Sequence, residues 1–282
     1  MLATAIIVFR EVLEAALLIG IVAAATRSVP RRAPWILGGV LAGLGGASLV
    51  ALGTGRIAEL ASGMGQELLN AVVLGLAVLM LGWHNLWMAS HGAALAKNAK
   101  SMGIDVRDGR RERSVLLIVI GLAVLREGSE TVLFLYGVAA SEGGPSMTML
   151  AGGIAGVAAG IAAGYAMYAG LLRIPLRWFF TVTAVLVLFV AAGMASQAAR
   201  FLIQADVLPS LATPLWDTSA VLPETSIAGV LLHSLIGYDA RPAGMQIVFY
   251  LLVLVTISLG MRWVGKSGQR RSAPARASVA TS

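Results

Sequence analysis

The chain has 282 residues, no cysteine, three histidines and only 12% charged residues. Without cysteine there is no disulfide, no thiolate metal site and no cysteine nucleophile. Three histidines cannot build the usual redox-metal centre, and neither G-x-S-x-G nor H-E-x-x-H occurs. These absences argue against an enzyme. The shortage of charge is also informative, because soluble domains carry about 25% charged residues. With 58% hydrophobic residues and a mean hydropathy of +0.84, the composition is that of a membrane protein. The net charge of +7 does not indicate nucleic acid, since most basic residues fall in loops expected on one side of a membrane.

Apolar stretches of about 20 residues mark spanning helices, because a ~30 Å hydrocarbon core needs that length at 1.5 Å per residue. Seven are expected: 3–25, 35–55, 66–89, 114–140, 147–172, 178–197 and 245–264. The first run lacks the basic n-region of a cleaved leader and continues to Ala25, so it is expected to be retained. The fold class is therefore all-α and polytopic, with one membrane domain over 1–264 and a basic, disordered tail over 265–282. Between spans six and seven, 200–244 forms an outer loop in which Ile227, Val230, Leu231 and Ser234 fall at helical spacing. A short interfacial or re-entrant helix and an ordinary surface loop both fit that pattern.

The connections after spans one, three and five, and the C-terminal end, collect almost all loop Lys and Arg. Arg56, Arg200 and Arg241 lie on the other side. This asymmetry predicts an outside N-terminus and a cytoplasmic C-terminus.

Against this apolar background, Arg10-Glu11-Val12-Leu13-Glu14 lies inside the first span, and Arg126-Glu127-Gly128-Ser129-Glu130 lies inside the fourth. Ionisable groups at membrane depth cost roughly 2.5–3.5 kcal/mol each on the mildest scale, so they mark function by default. Each motif span is followed by a glycine-rich span and then a third. The two three-span units, about 3–89 and 114–197, are expected to form inverted repeats with a site at their interface near the midplane. The fifth span carries Gly152, Gly156, Gly160 and Gly164, a face suited to close helix contact within or between chains.

Residues three and four apart share a helix face, so Glu11 and Glu14 point one way and Arg10 reaches Glu14. Glu127, Glu130 and Arg126 repeat the arrangement. Four carboxylates and two guanidinium groups would leave a formal charge near minus two, which suits a hard cation. Structural neutralisation of each Glu by its Arg accounts for at most two of the four carboxylates. A proton relay uses the same groups, so a proton-coupled transporter of another metal cation or small solute is the alternative reading. Ser129 with Glu130 and the distant His233 would give an intramembrane hydrolase no use for the doubled Glu pairs.

Other polar residues read more plainly. His84 and Asn85, flanked by Trp83 and Trp87, are expected at the cytoplasmic interface, with an exit path as the other reading. Glu67 and Glu142 are expected as solvated helix-end carboxylates. Asp217, Glu224, His233 and Asp239 share the outer loop and form a candidate capture site for cations. The eleven methionines show no periodic face and read as packing.

The paired Arg-Glu-x-x-Glu motifs on a seven-span frame resemble the oxidase-dependent iron permease family, which includes fungal high-affinity and bacterial Efe-type permeases. The outer-loop string Leu215-Trp216-Asp217-Thr218-Ser219, with Leu232-His233 and Gly237-Tyr238, is similar to the bacterial members. Val12 and Ser129 depart from the family pattern, both at spacer positions. The resemblance implies metal-binding roles for Glu11, Glu14, Glu127 and Glu130, oriented by Arg10 and Arg126. It implies ferric iron as cargo, with no permanently bound cofactor. It also implies an external ferroxidase or peroxidase, a periplasmic component in bacteria, and residence in a bacterial inner membrane.

Overall fold

The computed structural model describes residues 1–61, 65–141, 144–170 and 176–271. Among them are eight helices and no strand: α1 (Leu2–Ala25), α2 (Arg32–Ala61), α3 (Gln66–Arg107), α4 (Ser114–Ser141), α5 (Met147–Tyr168), α6 (Leu176–Gln204), α7 (Ile227–Ile236) and α8 (Gly244–Arg271). An all-helical chain is what lipid demands, since every backbone N–H and C=O must be satisfied within its own segment. Five helices (α2, α3, α5, α6 and α8) contain apolar stretches long enough to cross a membrane. α1 and α4 have the length, but each carries three charged residues at mid-length. Large apolar side chains face outward, among them Leu41, Leu49 and Leu52 on α2 and Leu252 and Leu259 on α8. This outward-facing belt belongs to a protein solvated by lipid.

Glycine decides how the helices pair. On α5, a Cβ at Gly156 would lie 2.7 Å from the Ala5 carbonyl oxygen, and one at Gly160 2.8 Å from Val12 Cγ1. On α2, a Cβ at Gly43 would lie 2.6 Å from Val124 Cβ and 2.7 Å from the Gly121 carbonyl oxygen. Each glycine-rich helix therefore packs against the motif helix of the other three-helix unit: α5 on α1, and α2 on α4. The glycine face of α5 is thus used within the chain.

Several expected boundaries are corrected. The basic stretch from Ser90 is not a loop, because α3 runs on to Arg107. Alanine, leucine and lysine favour helix there, no proline interrupts, and Ala99 and Val106 bury against Val22 and Val29 of the α1 end. α2 continues past the expected polar turn at Arg56 to Ala61, and α6 continues past Gln197 to Gln204. α8 continues past Val264 to Arg271, so the first seven residues of the expected tail are helical. Residues 272–282, the rest of that tail, lie outside the described residues, as does Glu142.

In the outer loop the helical alternative holds. α7 is capped by the Ser226 hydroxyl, which accepts from the Gly229 N–H at 3.0 Å, and it ends at Gly237 with φ +69°.

Candidate functional site

Both motifs lie in the middle of their helices, and α1 packs directly against α4 and α3. In α1, Arg10 Nε donates to Glu14 Oε1 at 2.9 Å, with about 3% of each side chain exposed. In α4, Arg126 Nε donates to Glu130 Oε1 at 3.0 Å and lies 3.8 Å from Glu127 Oε1. The Arg126 guanidinium also stacks over Trp87, 3.9 Å from the ring centre.

Between the helices stands a residue whose position differs from expectation. His84 is buried in the cluster and is not at an interface. Its Nδ1 contacts Glu130 Oε2, while Nε2 lies 3.7 Å from Glu14 Oε2 and 4.0 Å from Glu11 Oε2. The ring stands edge-on to Phe134, with centroids 6.3 Å apart. Asn85 is buried beside it and donates to the Ala184 carbonyl of α6 at 3.4 Å. The flanking tryptophans suggest an interface, but only Trp83 points outward, whereas Trp87 lies one turn from His84 and stacks with Arg126 of the cluster. The usable signal was periodicity: Leu74, Ala77, Val78, Leu81, His84 and Asn85 continue one buried stripe at helical spacing.

One ligand atom from each of Glu11, His84, Glu127 and Glu130 falls within 4.8 Å of the others. Both oxygens of Glu11 and one each of Glu14 and Glu127 accept no hydrogen bond among the described residues. Buried carboxylate oxygens without donors are expensive, and a cation is the partner that would satisfy several at once. Arg10 Nη1 is likewise buried without an acceptor.

The sequence profile of the iron permease FTR1 family matches residues 1–265, a range that contains both motifs and His84. The chain belongs to that family. It is 31% identical over 260 residues to the ferrous iron permease EfeU of Escherichia coli O6:H1, covering 89% of this chain and 91% of that protein. It is 30% identical over 256 residues to the ferrous iron permease EfeU of Yersinia pestis, with 89% of each chain covered. No solved structure matches significantly.

The charged cluster of the permease is enclosed by two apolar layers. One turn toward the N-terminus of α1 lies Ile7, and one turn beyond Glu130 on α4 lies Phe134. Both are fully buried, together with Leu74. Beyond that layer a cavity of about 40 Å³ is lined by Ala3, Val138, Gln197, His233 and Gly237. On the opposite side, Val22, Leu116, Ile120 and Val124 form the second layer. The layers close the cluster along the helix axes, while Arg126 and Glu130 keep 35% and 18% of their side chains exposed on the α4 side.

The four outer-loop candidates do not come together as a ligand set; each holds the loop in shape. Asp217 accepts from the Ser219 hydroxyl and N–H and pairs with Arg241 Nε at 3.0 Å. The Ser219 donors first, and then Arg241, hold its carboxyl down to about 2. Glu224 accepts from the Ala240 N–H at 2.8 Å, and Asp239 accepts from the Arg241 N–H at 2.9 Å. His233 Nδ1 lies 2.7 Å from the Tyr238 carbonyl oxygen. Glu67 is exposed in the first turn of α3, as expected of a solvated helix-end carboxylate.

Proposed function

We propose that this chain moves iron across a membrane through the cluster formed by Glu11, Glu14, Glu127 and Glu130, with Arg10 and Arg126 as orienting partners. Iron transport follows from membership of the iron permease family. Assignment of the path to these residues is supported by one observation above all: carboxylates from two distant helices face one another with oxygens that lack protein donors. Seven membrane crossings are proposed, comprising the five apolar helices and the two motif helices. The N-terminus is outside and the C-terminus cytoplasmic. The reciprocal packing of α2 on α4 and α5 on α1 supports two inverted repeats, because an inverted pair of three-helix units exchanges those two contacts.

The resemblance to the oxidase-dependent permeases implies ferric cargo supplied by an external oxidase or peroxidase. A second reading has its own support: relatives at about 30% identity carry the name ferrous iron permease. In addition, a divalent ion balances the formal charge of minus two left by four carboxylates and two guanidinium groups. We adopt the divalent ion as the species held at the cluster. An external oxidase or peroxidase, with a periplasmic component in bacteria, remains the proposed supplier where iron arrives as ferric.

Radiolabelled iron uptake by purified protein in liposomes tests the assignment. Uptake is measured with ferrous iron under ascorbate and with ferric citrate. Iron accumulation that is lost in Glu11→Gln and Glu127→Gln is the expected result. Unchanged uptake by both variants at equal incorporation would refute the glutamate path, and preference for ferric citrate would reverse the choice of oxidation state.

A further inference from the structure

Carboxylates alone explain a cation path but not an iron path. Oxygen donors bind calcium, magnesium and manganese readily, and those ions compete in most surroundings. Imidazole nitrogen shifts a site toward transition metals such as iron. The cluster contains one such nitrogen, and its setting is specific. His84 is about 3% exposed, and neither ring nitrogen makes a hydrogen bond of ordinary geometry, so its two sides differ only in which carboxylates stand beside them. Nε2 faces Glu14 Oε2 at 3.7 Å and Glu11 Oε2 at 4.0 Å. Both separations exceed a hydrogen bond, yet both are below about 4.2 Å, the most that two ligands bonded to one ion at ~2.1 Å can be apart. The other ring nitrogen, Nδ1, contacts Glu130 Oε2. A metal-bound histidine commonly donates its second N–H to a carboxylate, which fixes the tautomer and aims the lone pair.

We propose that His84 is a ligand of the transported ion through Nε2, is held in place by Glu130 through Nδ1–H, and makes the site prefer a transition-metal dication to calcium or magnesium. This rests on the glutamate-path reading and divides the labour within it. Glu11 and Glu14 face the ion from the side of Nε2, Glu127 completes the cluster, and Glu130 acts on the ion through His84. Phe134 and Asn85 fix the rest of the ring's surroundings: one stands edge-on to it, and the other anchors the α3 backbone to α6. The two remaining histidines lie elsewhere. His91 stacks on Trp87 and is exposed, and His233 bonds the Tyr238 carbonyl in the outer loop.

The test uses the full chain in liposomes or detergent, with copper(II) as a paramagnetic probe and iron(II), calcium and magnesium as competing ions. Electron spin-echo modulation of the copper-loaded protein is expected to show imidazole nitrogen. The signal is expected to persist in the double variant His91→Gln, His233→Gln, in which His84 is the only histidine. It is expected to vanish in His84→Gln. In the same variant, displacement of copper by iron(II) should weaken by about tenfold or more relative to displacement by calcium, and Glu130→Gln should lower transition-metal affinity about 10–100-fold. Loss of the nitrogen signal in the double variant, or its survival in His84→Gln, overturns the assignment. The double variant leaves the cluster intact, so the assignment stays testable if His84→Gln does not fold. If iron uptake depends on Glu11 while copper shows no imidazole nitrogen in the unaltered protein, this inference falls and the glutamate path stands. If the unaltered protein neither binds nor moves any of these ions, the glutamate path falls with it.

Discussion

The two Arg-Glu-x-x-Glu segments carry the same charges at the same spacing, and their Arg–Glu bonds are alike at 2.9 and 3.0 Å. Their surroundings differ. Arg10 and Glu14 are each about 3% exposed, whereas Arg126 is 35% and Glu130 18% exposed. Arg10 has a buried Nη1 without an acceptor; Arg126 has an aromatic face beneath it. A sealed ion pair is held by strong, poorly screened attraction, and loss of one partner strands the other. A pair that is less deeply buried leaves a less costly orphan when one partner is removed. The α1 pair is thus the more deeply buried of the two, and the α4 pair the more open.

Alanine substitutions should break the comparison most severely. Glu14→Ala and Glu130→Ala are both expected to abolish liposome iron uptake while leaving the protein membrane-inserted. Their stabilities should diverge. Glu14→Ala leaves Arg10 buried and unpaired, costing about 3–5 kcal/mol. Arg126 is 35% exposed and keeps Trp87 beneath it, so Glu130→Ala should lower the thermal midpoint in detergent much less. Equal midpoints would erase the distinction between the halves.

Next in size are the packing glycines. Gly160→Leu and Gly43→Leu insert side chains against Val12 and Val124, and each should reduce folded yield severalfold, read by size-exclusion chromatography. The reciprocal packing predicts similar losses. A large effect at only one would show that the two halves are not built alike.

Exchanging arginine for lysine sharpens the contrast. Lysine cannot reproduce the guanidinium fork, so Arg10→Lys should cut uptake about tenfold or more. Arg126→Lys, at the less deeply buried pair, should cost less than about threefold. Initial rates at equal incorporation measure both. Smallest of all should be Asp217→Asn in the outer loop. Its carboxyl serves a turn and a surface pair with Arg241, so uptake should stay within about twofold.

Much of this arrangement could be read in the sequence, for physical reasons. Arg10, Glu11 and Glu14 stand out because charge in an apolar helix is costly whatever its partners are, and Arg126, Glu127 and Glu130 repeat that signal. The glycine faces of α2 and α5 were equally visible, but a small-residue stripe carries no address. That Gly160 meets Val12, and Gly43 meets Val124, follows from three-dimensional packing across the repeats. His84 was hidden by its tryptophan neighbours, which imitate an interfacial girdle, although it continues the buried stripe of α3. The length of α3 was hidden by charge. Lys97, Lys100 and Arg107 read as loop, yet they decorate a helix of 42 residues whose other side keeps Ala99 and Val106 buried. In the outer loop, Asp217 and Asp239 accept from backbone N–H groups two residues on, as Asx turns do, whereas the Glu224 bond to Ala240, sixteen residues away, follows from the folded loop.

The crossed pairing of the glycine helices bears on how the chain is made. Neither α1 nor α2 finds its close partner among the first three helices; those partners are α5 and α4. As the chain enters the membrane in order, the first half must wait with Arg10, Glu11 and Glu14 unsatisfied by the second motif. Only when α4 and then α5 arrive can both early helices be clasped. A chain halted before α5 could already pair α2 with α4, but α1 would still lack the glycine face that packs most closely against it.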